Sequence, residues 1–458
     1  MKPITFLLFL LSLCSAEKEP KHLCSRGKSV ERWISNSSTL SLNQSKIDIS
    51  FYDISIDINF ESNTINGSVG VNGFIDNNLP EYIELDFYNN MEVNSILQNN
   101  GQVSFLHEQN KIKIPINNII IQGDNYFSIL IKYQGTPQDC GAGGFKFDEH
   151  LGVDHVWTLS EAYCARSWWP SKDDPSDKAD SVYVRVTVPA NPNFIVASNG
   201  LLDSITNDGD KNTFFWKEKY PITTYLVSLA IYPYTIWSEQ YISSISNDTM
   251  AIEHYVFPDR YESSFSNYSL TGEMISFFSG LFGEYPFISE KYGHADFKWG
   301  GGMEHQTLSS MGSSSQNLIV HELGHSWWGN LITCKTFNDI WLNEGFARYC
   351  QALWVEHING KESYFSFMND YAYYGDGTIY VENPSSNSQI FNSNLSYNKA
   401  SWVLHMLRRK VGDDTFFEIL KSYASNDTLA YNAASTADFQ KISEDISDQN
   451  LELFFQQW

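Results

Sequence analysis

Basic residues are scarce in this chain: 30 Lys and Arg stand against 54 Asp and Glu, a net charge of −24 over 458 residues. That deficit argues against nucleic acid or an anionic membrane as a partner, since both are recognised through clustered positive charge. Long apolar runs are missing beyond the N-terminus. The one candidate, residues 4–13, is too short to span a bilayer, so no transmembrane segment is expected. With Lys2 before it and Cys14-Ser15-Ala16 after it, the run reads instead as a secretory signal over residues 1–16, which predicts a secreted or periplasmic protein. Cysteine is sparse too. Processing would leave Cys24, Cys140, Cys164, Cys334 and Cys350, enough for two bridges at most. Cys140 and Cys164 flank a short connecting segment and are the first pair to expect. Repeats and low-complexity tracts are also lacking.

What the chain does have is apolar content of 42% and aromatic content of 15%, enough for a globular fold with two or three cored domains. N-x-S/T sequons begin at Asn36, Asn43, Asn66, Asn247, Asn267, Asn394 and Asn426. Residues 17–45 are polar and rich in Ser and Asn, which predicts a loosely held arm. From residue 46 the apolar period becomes two, with Ile47, Ile49, Tyr52, Ile54, Ile56 and Ile58 alternating. Similar runs at 111–114, 127–133 and 182–188, and a hairpin signal at Asn66-Gly67, predict a β sandwich or saddle over residues 46–245. After 246 the period turns helical over 268–282, 318–328 and 338–356, with short strands at 292–297 and 307–310. Ser396 is placed to cap a helix running to 409, and Ser435 with Asp438 forms a capping box. The fold class is therefore α+β.

The chemistry is concentrated in His321-Glu322-Leu323-Gly324-His325, with Glu344 following after 18 intervening residues. Residues four apart share a helix face, so His321 and His325 can aim two imidazoles at one ion. H-E-x-x-H on a helix is a zinc-hydrolase pattern in which the Glu acts as general base. Random placement of this chain's His and Glu would yield only ~0.015 such matches. Two histidines alone would more simply be solvated on a surface helix. The added carboxylate completes a His₂Glu set, one of the standard catalytic zinc sites, with Glu344 as third ligand.

Together with Gly301-Gly302-Met303-Glu304 and Tyr397-Asn398-Lys399, this motif resembles the aminopeptidase N family of gluzincin zinc aminopeptidases, over residues 47–458. The resemblance implies an N-terminal β saddle followed by a thermolysin-like, mainly helical peptidase domain over 246–458. It implies one Zn²⁺, peptide substrates with a free N-terminus, Glu322 as base and Tyr397 as oxyanion donor. Gly301, Gly302, Met303 and Glu304 would bind substrate. Glu161, at a position that is often Gln in the family, would join Glu304 on the α-amine. Two departures stand out: His305 where Asn is commonest, adding a group able to titrate near neutrality, and Ala400 where Gly often stands. The chain also ends where the family's catalytic domain ends, which implies a more open cleft. Other readings are a zinc endopeptidase, an epoxide hydrolase, or a peptide-binding protein without catalysis.

Overall fold

A computed structural model describes residues 40–140 and 143–458. The signal segment, most of the expected arm, Cys24 and Asn36 lie outside the described residues. The first described turn is firmly anchored: Gln44 is buried, and its side chain donates to Asp86 (2.7 Å). The arm thus docks several residues earlier than its polar composition predicts.

The alternating isoleucines form the strand Ile47–Asn59, at the heart of an eight-stranded sheet. It pairs antiparallel with Thr64–Ile75 and parallel with Ser181–Pro189. In Ser181–Pro189 every second residue, Val182 to Val188, is buried, as a half-covered strand requires. Asn66-Gly67 lies inside Thr64–Ile75 and not at a turn. The ring of Tyr133 occupies the space a side chain at Gly67 would need, so the glycine serves packing and the reversal falls at 60–63. A second, four-stranded sheet runs Ile195–Ser198, Leu229–Tyr232, Val153–Leu159, Gly144–His150. Isoleucines, valines and tryptophans from these sheets merge into one core.

The rest of the chain is a five-stranded sheet backed by helices. Its order is Thr235–Ile242, Thr249–Val256, Lys291–Asp296, Ser309–Met311, Gly302–Met303. The helical run expected over 268–282 is the helix Thr271–Phe282, preceded by a separate helix, Tyr261–Tyr268, that the periodicity does not show. Helix Gln316–Gly324 packs on the sheet's Ser309–Met311 and Gly302–Met303 edge, Trp341–Asp370, interrupted at Gly360, packs on that helix, and Ala400–Val411 and Asp413–Ala424 follow in turn. Ser435 and Asp438 form the expected capping box for Thr436–Ser447. Ser396 caps nothing. Its hydroxyl bonds back to Ile390 O, while Asn392 caps a wide π-type turn, Ser393–Lys399, that leads into Ala400–Val411. Among the described residues, no helix is long and apolar enough to cross a membrane.

The two halves are stitched by specific contacts. Lys178 reaches Asn330 O and Leu331 O (2.6 and 3.1 Å), and Asn199 reaches Gln306 O (2.6 Å). These bonds tie the β half to the loops on either side of the histidine helix.

Candidate metal centre and active site

Ser315 caps the histidine helix by accepting from Leu318 N, and regular helix ends at Gly324, with His325 in the last helical position. The helix is thus shorter than its apolar pattern predicts. The reason lies in His325 itself: its Nδ1 bonds to Trp328 O (3.0 Å), which pulls the chain into a tight turn. That bond fixes the tautomer and leaves Nε2 free to ligate. Every residue from Leu318 to Gly324 is buried, so beyond its first turn the helix has no solvent-facing side, and His321 and Glu322 are enclosed with the apolar residues.

Trp341–Asp370 brings Glu344 across to the histidines. Glu344 Oε2 stands 3.2 Å from His321 Nε2 and 3.4 Å from His325 Nε2, and the two Nε2 atoms are 3.3 Å apart. These are the edges of a ligand triangle. In a tetrahedral zinc site with bonds of about 2.0–2.1 Å, donor atoms lie about 3.3 Å from one another. The residues present therefore fit a zinc-sized ion. All three side chains are at most 2% exposed, which excludes the alternative of solvated surface histidines.

Charge balance points the same way. Burial alone would raise the Glu344 carboxyl, but hydrogen bonds from both imidazoles hold it down to about 2. At His321 burial lowers proton affinity to about 4. At His325 burial also disfavours the imidazolium, yet the carboxylates of Glu304, Glu344 and Glu322 outweigh it. The centre is built for positive charge.

The other expected residues converge on it. Glu322, wholly buried, packs its carboxylate against Gly302: a Cβ there would fall 2.2 Å from Oε1. The Gly302–Met303 edge strand can lie over the Glu322 carboxylate only because it carries no side chain at that point. Glu304, next along, is fully buried, and its carboxylate approaches His325 Nδ1 to 3.9 Å. Asn330 holds the Glu304 carbonyl (2.9 Å). Glu161 arrives from the β half, also fully buried, and carboxylate oxygens of Glu161, Glu304 and Glu344 lie within 4.8 Å of one another. Tyr397, in the π-type turn, donates its hydroxyl to Glu344 Oε1 (2.8 Å). Gly301 accepts from Gly312 N (2.8 Å), holding the strand's start.

His305 differs from expectation. It is buried, bonds through Nδ1 to Ser310 Oγ (2.8 Å), and burial pushes its pKa down to about 3. It stays neutral across the physiological range and adds no titrating group. Other residues have no counterpart in the sequence reading. Tyr225, fully buried, accepts from Asn343 Nδ2 (3.2 Å). Burial and then the Glu304 and Glu161 charges keep its phenol protonated. Arg348 is buried one turn after Glu344, with Tyr371 stacked against its guanidinium. Its place four residues beyond a ligand was a usable signal; Tyr225 offered none.

Comparison with known proteins agrees with this architecture. Residues 48–226 match the peptidase M1 N-terminal domain, and 303–458 match the peptidase family M1 domain. The probable aminopeptidase 2 of Sulfurisphaera tokodaii is 23% identical, over 90% of this chain and 53% of its own length. Human aminopeptidase N is 26% identical, over 72% of this chain and 37% of its own. The chain thus spans about half or less of the curated relatives it matches. A mutant M1 zinc metallopeptidase of Deinococcus radiodurans, solved with a Tyr-Ser-Ala substrate, superposes with a TM-score of 0.78 at 24% identity, over 91% of this chain and 96% of that one. With two models of one family matched in order across both halves, the chain belongs to peptidase family M1, the aminopeptidase N family.

Proposed function

We propose that this protein is a zinc-dependent aminopeptidase that hydrolyses the first peptide bond of substrates with a free N-terminus. The observation that carries the reading is the placing of two carboxylates, Glu161 and Glu304, beside the His321, His325 and Glu344 triangle, all of them buried. His321, His325 and Glu344 would hold the ion, which when bound supplies a Lewis acid and an acidified water.

Two buried carboxylates side by side favour a cation placed between them. A peptide's α-amine, with a pKa of about 7.7–8.0, is substantially cationic near neutrality and supplies one. Glu304 and Glu161 grip that ammonium by charge-assisted hydrogen bonds, which sets the first carbonyl beside the triangle. Glu322, held against Gly302, takes the proton of the attacking water and returns it to the leaving amine. Tyr397 turns its hydroxyl from Glu344 to the developing oxyanion, an interaction worth ~3 kcal/mol by analogy with other oxyanion donors. His321, His325 and Glu322 stand on or at the end of one helix, and Glu344 on a second, so their spacing is set by regular backbone.

The segment 1–16 supports export as part of this reading, and assay of secreted and retained fractions of the expressing host tests it. The activity is tested with paired peptides, one free and one N-acetylated, on protein whose metal content has been measured. One zinc per chain and a preference of about 10³ or more for the free peptide are expected, since the acetylated peptide forfeits the charge-assisted hydrogen bonds its ammonium would make to both carboxylates. Equal cleavage of both peptides would replace this reading with an endopeptidase.

A further inference from the structure

Glu161 sits in a stretch with little regular structure to hold it. The strand Val153–Leu159 stops just before it, and the next strand begins only at Lys178. Between them lie one short turn, Ala165–Ser167, and an isolated bridge from Ser171 to Asp86. Yet Glu161 must meet Glu304 and Glu344 within 4.8 Å.

Three residues after Glu161, Cys164 is disulfide-bonded to Cys140, with Cα atoms 5.7 Å apart. Cys140 precedes the strand Gly144–His150, whose first residue faces Leu159 across the ladder. The bridge therefore extends this hairpin past the point where backbone pairing stops, across the segment that carries Glu161. Two bonds close the turn from the other side. Cys164 N donates to Ser160 O (2.8 Å), and the buried Trp168 Nε1 donates to Ser160 Oγ (3.0 Å). Neither cysteine touches the zinc triangle or Glu322, which stand on separate helices.

We propose that the Cys140–Cys164 disulfide is a positioning device for the substrate-amine site, fixing the 160–164 turn so that Glu161 faces Glu304. This rests on the aminopeptidase reading above. An ammonium held between two carboxylates is sensitive to displacements of less than an ångström, and a covalent link restrains the turn where no ladder does. Opening the bridge weakens capture of the amine and leaves the water-activating groups in place.

The test is steady-state kinetics of the full chain on an aminoacyl p-nitroanilide, with zinc content measured for each variant. Cys140→Ala/Cys164→Ala should raise KM about tenfold, the scale of one weakened charged hydrogen bond. Its kcat should stay within about twofold, and its zinc content should be unchanged. Cys140→Ala alone opens the bridge at its less buried end and gives the same readout if the double variant does not fold. In a Glu161→Gln background, opening the bridge should add less than about twofold to KM, because the effect passes through Glu161. An unchanged KM with the bridge open, or the same tenfold rise without Glu161, overturns the proposal. If Glu161→Gln itself leaves KM unchanged, the amine-binding role of Glu161 fails, and the proposal fails with it for that separate reason.

Discussion

Glu322 and Glu344 are both fully buried carboxylates on facing helices, and their surroundings differ. Glu344 meets two imidazoles and a phenol, the surroundings expected of a ligand under the proposed reading. Glu322 lies off the triangle, against Gly302, and under the proposed reading it is the base. Glu322→Gln preserves shape and removes basicity. It should lower kcat by about 10³-fold or more, the upper range for a lost acid–base group, with zinc retained. Metal analysis beside single-turnover rates checks this, and retained turnover would take Glu322 out of the role. These residues were legible because their spacing is local: four along a helix, then one further helix. Glu304 and Glu161 were legible only through resemblance, since their burial depends on chain segments far away in sequence. Tyr225 was not legible at all, because a tyrosine amid strand-like residues looks like packing until three carboxylates are seen around it.

Helices and strands set the reach of these groups, and here the ends matter more than the middles. The histidine helix stops at Gly324 because a side-chain bond from His325 competes with the ladder, and periodicity carries no sign of such a bond. Tyr397 likewise sits in a π-type turn where the sequence predicts an ordinary helix start. Half-covered strands such as Ile47–Asn59 and Ser181–Pro189 were readable, since alternation reports burial directly, whereas the wholly exposed Leu201–Asn207 and the wholly buried Leu229–Tyr232 carry no alternation to read. The Gly302–Met303 strand supplies the sharpest test at this scale. Gly302→Ala adds one methyl group where the Glu322 carboxylate now lies. Rates should fall about 10²-fold through misplacement of the base, while zinc content and the melting temperature change little. Wild-type rates in that variant would mean the carboxylate has room to move aside.

Across the whole molecule, Asp296 joins the halves. Its carboxylate accepts from Phe257 N (3.0 Å) and Tyr268 Oη (3.3 Å), and its carbonyl accepts from Tyr234 (2.7 Å). Burial raises its pKa to about 7, against about 3.9 in an unfolded chain. Between those values the native state binds a proton that the unfolded state has released, so this group's contribution to stability falls as pH rises through that window. Asp296→Asn lacks the effect. Relative to wild type, the variant should gain stability from pH 5 to pH 8 in denaturant melts. A pH-independent difference would mean that Asp296 is already ionised in the fold. The division into a β half and a helical half was readable from the change of period, but the bonds joining them were not, because they link backbone carbonyls to side chains from about sixty to more than a hundred and fifty residues away.

One feature of the β half bears on how the chain comes into being. The first strand, Ile47–Asn59, takes Ser181–Pro189 as its parallel neighbour, and all the sequence between them must be made first. At 5–20 residues per second, synthesis from one to the other takes roughly 6–25 s. Through that interval one edge of the central strand has no partner, and parallel pairing across so long a loop closes slowly once the partner emerges. The nascent β half is therefore the stretch most in need of a chaperone, well before the zinc ligands leave the ribosome.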